Sequence, residues 1–177
     1  MVDVGGRVVV DVGASVGDSP IYFILKGARR VYAVEPHPGA YREMLENIKL
    51  NNMQDRIVPI NAALESKPGV ARIPNVDIEG TIGTYHGSAS DGIAEVPMVT
   101  LGQLISDYGI KPDVLKLDCQ GCEFDVILND YEHVRLFREL VLEVHGDEKE
   151  LINKLSKDYK CTVYGISNRI LHCKRQW

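Results

Sequence analysis

Short β-branched runs alternate with amphipathic stretches along most of the chain. That alternation predicts a parallel sheet with crossover helices. Residues 7–12 (RVVVDV) form a nearly continuous apolar run with an acid near its end, the pattern of a central strand buried on both faces. After a glycine-containing turn, residues 20–26 (PIYFILK) read as a helix closed by Gly27. Residues 30–35 (RVYAVE) form a second strand. Residues 39–52 place Tyr41, Met44, Leu45, Ile48 and Leu50 at helical spacing. Residues 56–61 (RIVPIN) form a third strand, and Pro59 favours an edge position.

The rhythm breaks over residues 65–99, which are rich in Gly, Ser, Pro and Asp. Two extended pieces, 70–73 and 95–100, predict an inserted hairpin or lid within one domain spanning 1–177, since so long a loop is usually functional. A short helix over 101–108 follows, then a strand at 113–118 (DVLKLD) and a helix from 123 to 129. Next come a strand at 139–145 (ELVLEVH) and a charged helix at 147–158. Residues 160–166 and 169–175 read as two strands around a tight Ser167-Asn168 turn. The predicted fold is α/β and Rossmann-like, with five parallel strands and a terminal antiparallel hairpin.

Composition changes little in this picture. The chain has 177 residues, 45% hydrophobic and 25% charged, which fits one layered globular domain. No apolar run reaches the length of a membrane helix, and the N-terminus carries no signal-peptide pattern. A cytoplasmic location is the resulting expectation. The net charge of −5 argues against a general nucleic-acid binder, which usually carries a basic face.

The chemistry concentrates at residues 8–19, VVVDVGASVGDS. Strand, glycine turn and helix occur in the order a nucleotide site requires. Gly13 permits a tight turn off the strand, and Gly17 lets the helix start close to a ligand. Ala14 and Ser15 lie in the loop, and Asp18 and Ser19 lie at the helix's first turn. A dinucleotide site wants G-x-G-x-x-G, whereas this loop has Ser15 at the second glycine position. Asp11 would repel a pyrophosphate and would favour a cationic sulfonium. The expected cofactor is therefore S-adenosyl-L-methionine. Glu35, followed by Pro36, ends the second strand, where a carboxylate can accept from both ribose hydroxyls. Asn61 stands at the tip of the third strand as a candidate for the adenine edge.

In order, DVGASVGDS, VEPHP, NAAL, VTLGQL, DVLKLDCQGCE and LVLEVH resemble the landmarks of FkbM-type S-adenosylmethionine-dependent methyltransferases. The resemblance covers about residues 8–145. It implies a class I methyltransferase sheet of seven strands with an antiparallel last strand. It also implies that Asp11, Gly13 and Gly17 line the cofactor, that Glu35 holds the ribose, and that Asn61 and Ala62 sit near the adenine. The activity implied is methyl transfer to a hydroxyl of a small-molecule, sugar or lipid-like acceptor. Three positions depart from the family pattern: Gln120 replaces an acid, Gly102 an Asp, and Cys122 a small residue. The helices that often precede the first strand in this fold are not in the chain.

Methyl transfer needs an acceptor held in line and water kept out, and a hydroxyl acceptor benefits from a base. Asp118, also expected against the cofactor, and His145 are the candidate catalytic residues, with Gln120 and Glu143 nearby at strand ends. Asp118, Glu143 and His145 could instead hold a divalent ion; no metal is expected. Cys119-x-x-Cys122 invites a zinc or redox reading, but a single such pair argues against zinc. Cys161 and Cys173 are equidistant from Ser167, so a symmetric hairpin would set them opposite each other, where a disulfide could form, although such bonds are uncommon in cytosolic proteins.

Three other functions fit parts of these observations. One is an RNA or protein methyltransferase on the same fold. Another is a dinucleotide oxidoreductase. The third is a cofactor-binding module without catalysis, which Gln120 and the short chain favour. The exposed 65–99 segment leaves room for a homodimer.

Overall fold

The computed structural model describes residues 2–74, 92–165 and 169–176. Among them, β1 (Val8–Val12), β2 (Arg30–Val34), β3 (Ile57–Ile60), β7 (Val114–Leu117), β8 (Glu139–Val144), β9 (Tyr159–Tyr164) and β10 (Arg169–Arg175) form a seven-stranded sheet in the order β3-β2-β1-β7-β8-β10-β9. The first five of that order run parallel, and β10 joins β8 antiparallel. This is the predicted α/β plan, with Pro59 on the edge strand β3. The Ser167-Asn168 turn lies outside the described residues, as does the tip of the insertion.

Every residue of β1 is buried. Val8, Val10 and Val12 belong to one core cluster and Val9 to the other, as the two-residue period of a strand requires when both faces are covered. The helices α1 (Asp18–Leu25), α2 (Pro38–Leu50), α3 (Leu101–Tyr108), α4 (Cys122–Asn129), α5 (Tyr131–Val134) and α6 (Glu148–Leu155) provide that cover. Local chemistry sets their starts. Thr100 and Gln103 form a reciprocal capping box on α3. His37 accepts from Ala40 N ahead of Pro38 in α2, and Asp147 accepts from Lys149 N at α6.

Two elements escaped the sequence pattern. The strand β4 (Ala63–Leu64) has two residues and α5 has four, too few to show a period. β4 forms a second sheet, β4-β6-β5, with β5 (Gly69–Pro74) and β6 (Ile93–Val99). β5 and β6 pair antiparallel, and the residues joining them lie outside the described ones.

Gly102, where the resemblance leads to an expected Asp, packs against a side chain. A Cβ there would lie 2.6 Å from His133 Nε2, and Asp130 holds that ring through Nδ1 at 2.5 Å.

Cys161 and Cys173 are register partners in β9 and β10 and are joined as a disulfide. Cys119 and Cys122 are joined as well. With that second bond formed, neither sulfur is a thiolate available to a metal. Titration of the unfolded, unreduced protein should therefore find no thiol, and reduction should release all four. Thiols titrating before reduction would contradict the pairing.

The end of the sheet opposite the glycine loop is tied by Glu139. Its carboxylate pairs with Arg7, contacts His172 Nε2 at 2.5 Å, and has Lys174 Nζ at 3.8 Å. Burial alone would raise the Glu139 pKa, but hydrogen bonds and charge from Arg7 and His172 outweigh it and hold the carboxyl below its ordinary 4.5. A depressed acid contributes stability that is present above the unfolded value. That contribution is lost as pH falls through the folded one. Glu139→Gln should therefore lower unfolding stability at pH 7 by about 2 kcal/mol. In denaturant titrations the gap from wild type should narrow below about pH 4.

Candidate cofactor and acceptor site

The strand order reverses at β1, which has β2 on one side and β7 on the other. In open α/β sheets ligands bind beyond the strand C-termini at such a reversal. A cavity of about 370 Å³ lies there, within the size range of small-ligand sites.

The glycine loop forms one wall. Gly13 and Ala14 donate their backbone N–H groups to Val34 O at 3.0 and 3.1 Å, which turns the chain across the end of β2. Gly13 has φ 76°, and a Cβ there would lie 1.8 Å from Asp118 O. Only glycine fits between the two loops. Ser15 also has a left-handed φ of 48°, which aims its N–H at Glu35 Oε2 at 2.9 Å. Asn47 Nδ2 donates to Val16 O at 2.8 Å and holds the loop from α2.

Glu35 is 2% exposed yet lines the cavity. Its Oε1 accepts from His37 N at 2.7 Å, so two backbone donors fix the carboxylate. Pro36 and His37 line the cavity beside it. Asn61 is placed differently from its expected adenine contact. Its Nδ2 donates to Glu35 O at 2.8 Å and Pro36 O at 3.2 Å, bracing the turn from behind. Ala62 is buried in the core. The next residues, Ala63, Leu64 and Glu65, reach the cavity, and Ala71 and Ile73 of the inserted hairpin complete an apolar wall.

Asp11 also differs from its expected place. It is fully buried beneath the loop and is not among the cavity-lining residues. Ser19 Oγ donates to its Oδ2 at 2.6 Å, and Lys116 Nζ lies 2.9 Å from its Oδ1. Its charge is thus compensated inside the fold by Lys116 and Ser19. Lys116 also donates to Gly13 O at 3.0 Å and lies 3.7 Å from Asp118 Oδ2. Burial pulls the Lys116 pKa down, but Asp11, Asp118 and Asp18 hold it above the usual lysine value, so the ammonium stays charged. Ala14 is buried, Asp18 exposed, and Gly17 is the left-handed N-cap of α1 at φ 93°.

The loop from Asp118 to Cys122 forms the opposite wall, with Asp118, Cys119, Gln120 and Cys122 lining it. Gln120 has φ 54°. Two left-handed non-glycine residues, Ser15 and Gln120, thus face one cavity, a concentration of backbone strain typical of functional sites. Glu65 adds a carboxyl whose pKa is raised, first by burial and then by a hydrogen bond and charge from Asp125.

Glu123 fixes the far side. It is fully buried, its Oε2 accepts from Gly121 N at 2.8 Å, and its Oε1 takes both His145 N and His145 Nδ1 at 2.9 and 3.1 Å. His145 is not a cavity-lining residue. It does meet Asp118 and Glu143: one ligand atom from each of the three lies within 4.8 Å of the others. Sequence reasoning gave no role to Lys116, Glu123, Asn47 or Glu65. The first two stand in landmark motifs, so their signal was present. Asn47 and Glu65 had none.

Gly13→Ala should destabilise the fold by more than about 2 kcal/mol, because backbone atoms, and not a movable side chain, occupy the Cβ position. Thermal unfolding compared with Gly6→Ala, whose added Cβ meets nothing within 4 Å despite a left-handed φ, isolates the clash from the strain.

Comparison with known proteins places the chain among methyltransferases. The methyltransferase FkbM domain model matches residues 11–160. Hexuronic acid methyltransferase AglP of Haloferax volcanii is 24% identical over 92% of this chain and 66% of its own length. Ribosomal protein L11 methyltransferase of Geobacter sp. (strain M21) is 41% identical over 37% of this chain and 22% of its own. The structure of M. capricolum TrmK with S-adenosyl-homocysteine superposes with a TM-score of 0.59 at 13% identity, over 96% of this chain and 62% of that one. The chain spans less than two thirds of the length of each of these relatives.

Proposed function

The chain belongs to the FkbM family of class I S-adenosylmethionine-dependent methyltransferases, and from that membership we propose that it methylates a hydroxyl of a small acceptor, with a sugar as the leading class. The observation that carries this reading is the cavity at the strand reversal, bounded by Gly13, Ser15 and Glu35 on one side and Asp118 on the other.

The residues present fit S-adenosylmethionine. Glu35, fixed by two backbone donors, keeps carboxylate lone pairs for ribose hydroxyls. Gly13 and Ser15 bring the backbone close. Leu64 and Ile73 offer an apolar face to the adenine. When bound, the cofactor supplies an electrophilic methyl on a sulfonium. Ala14, Gly17, Asp18 and Ser19 shape the loop, and Asp11 supports it through Lys116. Asn61 and Ala62 back the adenine wall from behind Ala63 and Leu64. Asp118 stands where the acceptor must approach and serves as its proton acceptor, with His145 held by Glu123 as the second candidate. Gln120 keeps hydrogen-bonding capacity without charge.

We read the whole chain as one domain whose 65–99 insertion walls the cavity through Ala71 and Ile73. The AglP match extends along most of the chain, whereas the ribosomal-protein methyltransferase match covers about a third of it. That difference and the acidic net charge favour a sugar over RNA or protein. Among the described residues no helix is long and apolar enough to cross a membrane.

Calorimetry tests the donor. Binding to S-adenosylmethionine is expected and binding to NAD is not. Glu35→Ala should weaken the former at least tenfold, about 1.4 kcal/mol. Methyl transfer to a uronic acid glycoside, lost in Asp118→Asn with cofactor affinity retained, tests the acceptor side. No heat with S-adenosylmethionine would end the proposal.

A further inference from the structure

Asp118, Glu143 and His145 come from the ends of two adjacent parallel strands. Leu117 of β7 pairs with Leu142 of β8, so Asp118 and Glu143 are the next residues along each. The two-residue period of an extended chain then returns His145 to the side of Glu143. One ligand atom from each residue lies within 4.8 Å of the other two. Two ligands of one divalent ion, each about 2.0–2.4 Å from it, are separated by at most about 4–4.8 Å. The three groups therefore need only small side-chain adjustments to share an ion.

We propose that this triad is a divalent-cation site at the rim of the cavity, with coordination positions left open for water and an acceptor oxygen. Three further observations support it. Among the described residues the Glu143 side chain has no ion pair or hydrogen bond, although it is half-buried. The cation nearest Asp118 is Lys116 at 3.7 Å, and that ammonium is closer to Asp11, at 2.9 Å. Asp118 shares the Lys116 ammonium with Asp11, and Glu143 has no cation of its own among the described residues.

The histidine ring is also held by a buried carboxylate, as metal-binding histidines commonly are. Glu123, fully buried, holds His145 Nδ1 at 3.1 Å and its backbone N at 2.9 Å. A carboxylate on one ring nitrogen leaves the other, Nε2, to bind metal and raises its basicity. Glu123 is a positioning residue here, acting through His145.

Two carboxylates and one imidazole, open to solvent, suit a hydrated ion of the Mg²⁺ or Mn²⁺ type. The soft donors adjacent in sequence, Cys119 and Cys122, are joined to each other, which disfavours a closed zinc site. Asp118 lines the cavity, so an ion on the triad would hold an acceptor oxygen beside the methyl donor and acidify it, replacing direct proton acceptance by Asp118 or His145. That use rests on the methyltransferase reading. The cation binding does not.

Electron paramagnetic resonance of Mn²⁺ titrated into chelator-stripped protein, with no S-adenosylmethionine present, tests the site. One stoichiometric ion is expected. Glu143→Gln and His145→Gln should each weaken it at least tenfold, with folding checked by circular dichroism. Glu132→Gln, an exposed control, should bind as wild type does. Absence of stoichiometric Mn²⁺, or equal binding by both triad variants, would overturn the proposal. Calorimetry with S-adenosylmethionine in chelator keeps the two readings apart. Cofactor binding without Mn²⁺ binding overturns only the cation site, and Mn²⁺ binding without cofactor binding overturns only the donor assignment.

Discussion

A single buried charge pair holds both walls of the site in register. Asp11 and Lys116 are direct neighbours across β1 and β7, at the place where the sheet reverses its strand order. The Asp11 carboxylate is inaccessible to water and would be strongly unfavourable alone. Lys116 neutralises it, and the same ammonium donates to Gly13 O. Ser19 donates to the other carboxylate oxygen from the first turn of α1. One ion pair therefore ties the glycine loop, the first helix and the strand that delivers Asp118. Such a pair adds little net stability compared with an apolar replacement, but removing one partner leaves a buried charge and costs several kcal/mol. Its value is positional.

That pair also marks the boundary of what sequence reasoning could read. Periodicity is a local property, and it located β1, the edge strand with Pro59, and the whole of α3 between its capping box and Gly109. The acid in β1 was visible as a carboxylate beside a glycine loop. Its partner was not visible, because Lys116 comes from a distant strand and only register makes it the neighbour. A carboxylate at a strand tip reads as a ligand contact. The same carboxylate beside a buried ammonium is a structural brace. Asn61 follows the same logic. Its position at a strand tip was legible, but the two carbonyls that take its amide hydrogens belong to the neighbouring strand's exit turn.

Glu35 and Gly13 show the opposite case. Gly13 is required by a steric fact, the carbonyl of Asp118 where a side chain would go, and glycine signals such a need in sequence. Glu35 lines the cavity because the chain itself fixes it there: Ser15 N and His37 N both donate to it. The left-handed turn at Ser15 is the backbone cost of the first of these bonds. A second left-handed residue, Gln120, stands in the opposite loop. Strain concentrates where the chain must present groups to a cavity instead of to its own core.

The two walls are built to different standards of constraint. On the glycine-loop wall, backbone donors fix Glu35 and side chains of Lys116, Ser19 and Asn47 fix Asp11 and the loop. On the acceptor side, the departures from the family pattern gather at Gln120 and Cys122, and the disulfide there bridges the very loop that carries Asp118 toward the cavity. Glu123 compensates by anchoring that loop and His145 to one buried carboxylate. A negative charge moved out of position 120 is thereby not lost from the region, because Asp118, Glu143 and Glu65 remain. With Gln at position 120, the wall keeps its negative sign through Asp118, Glu143 and Glu65.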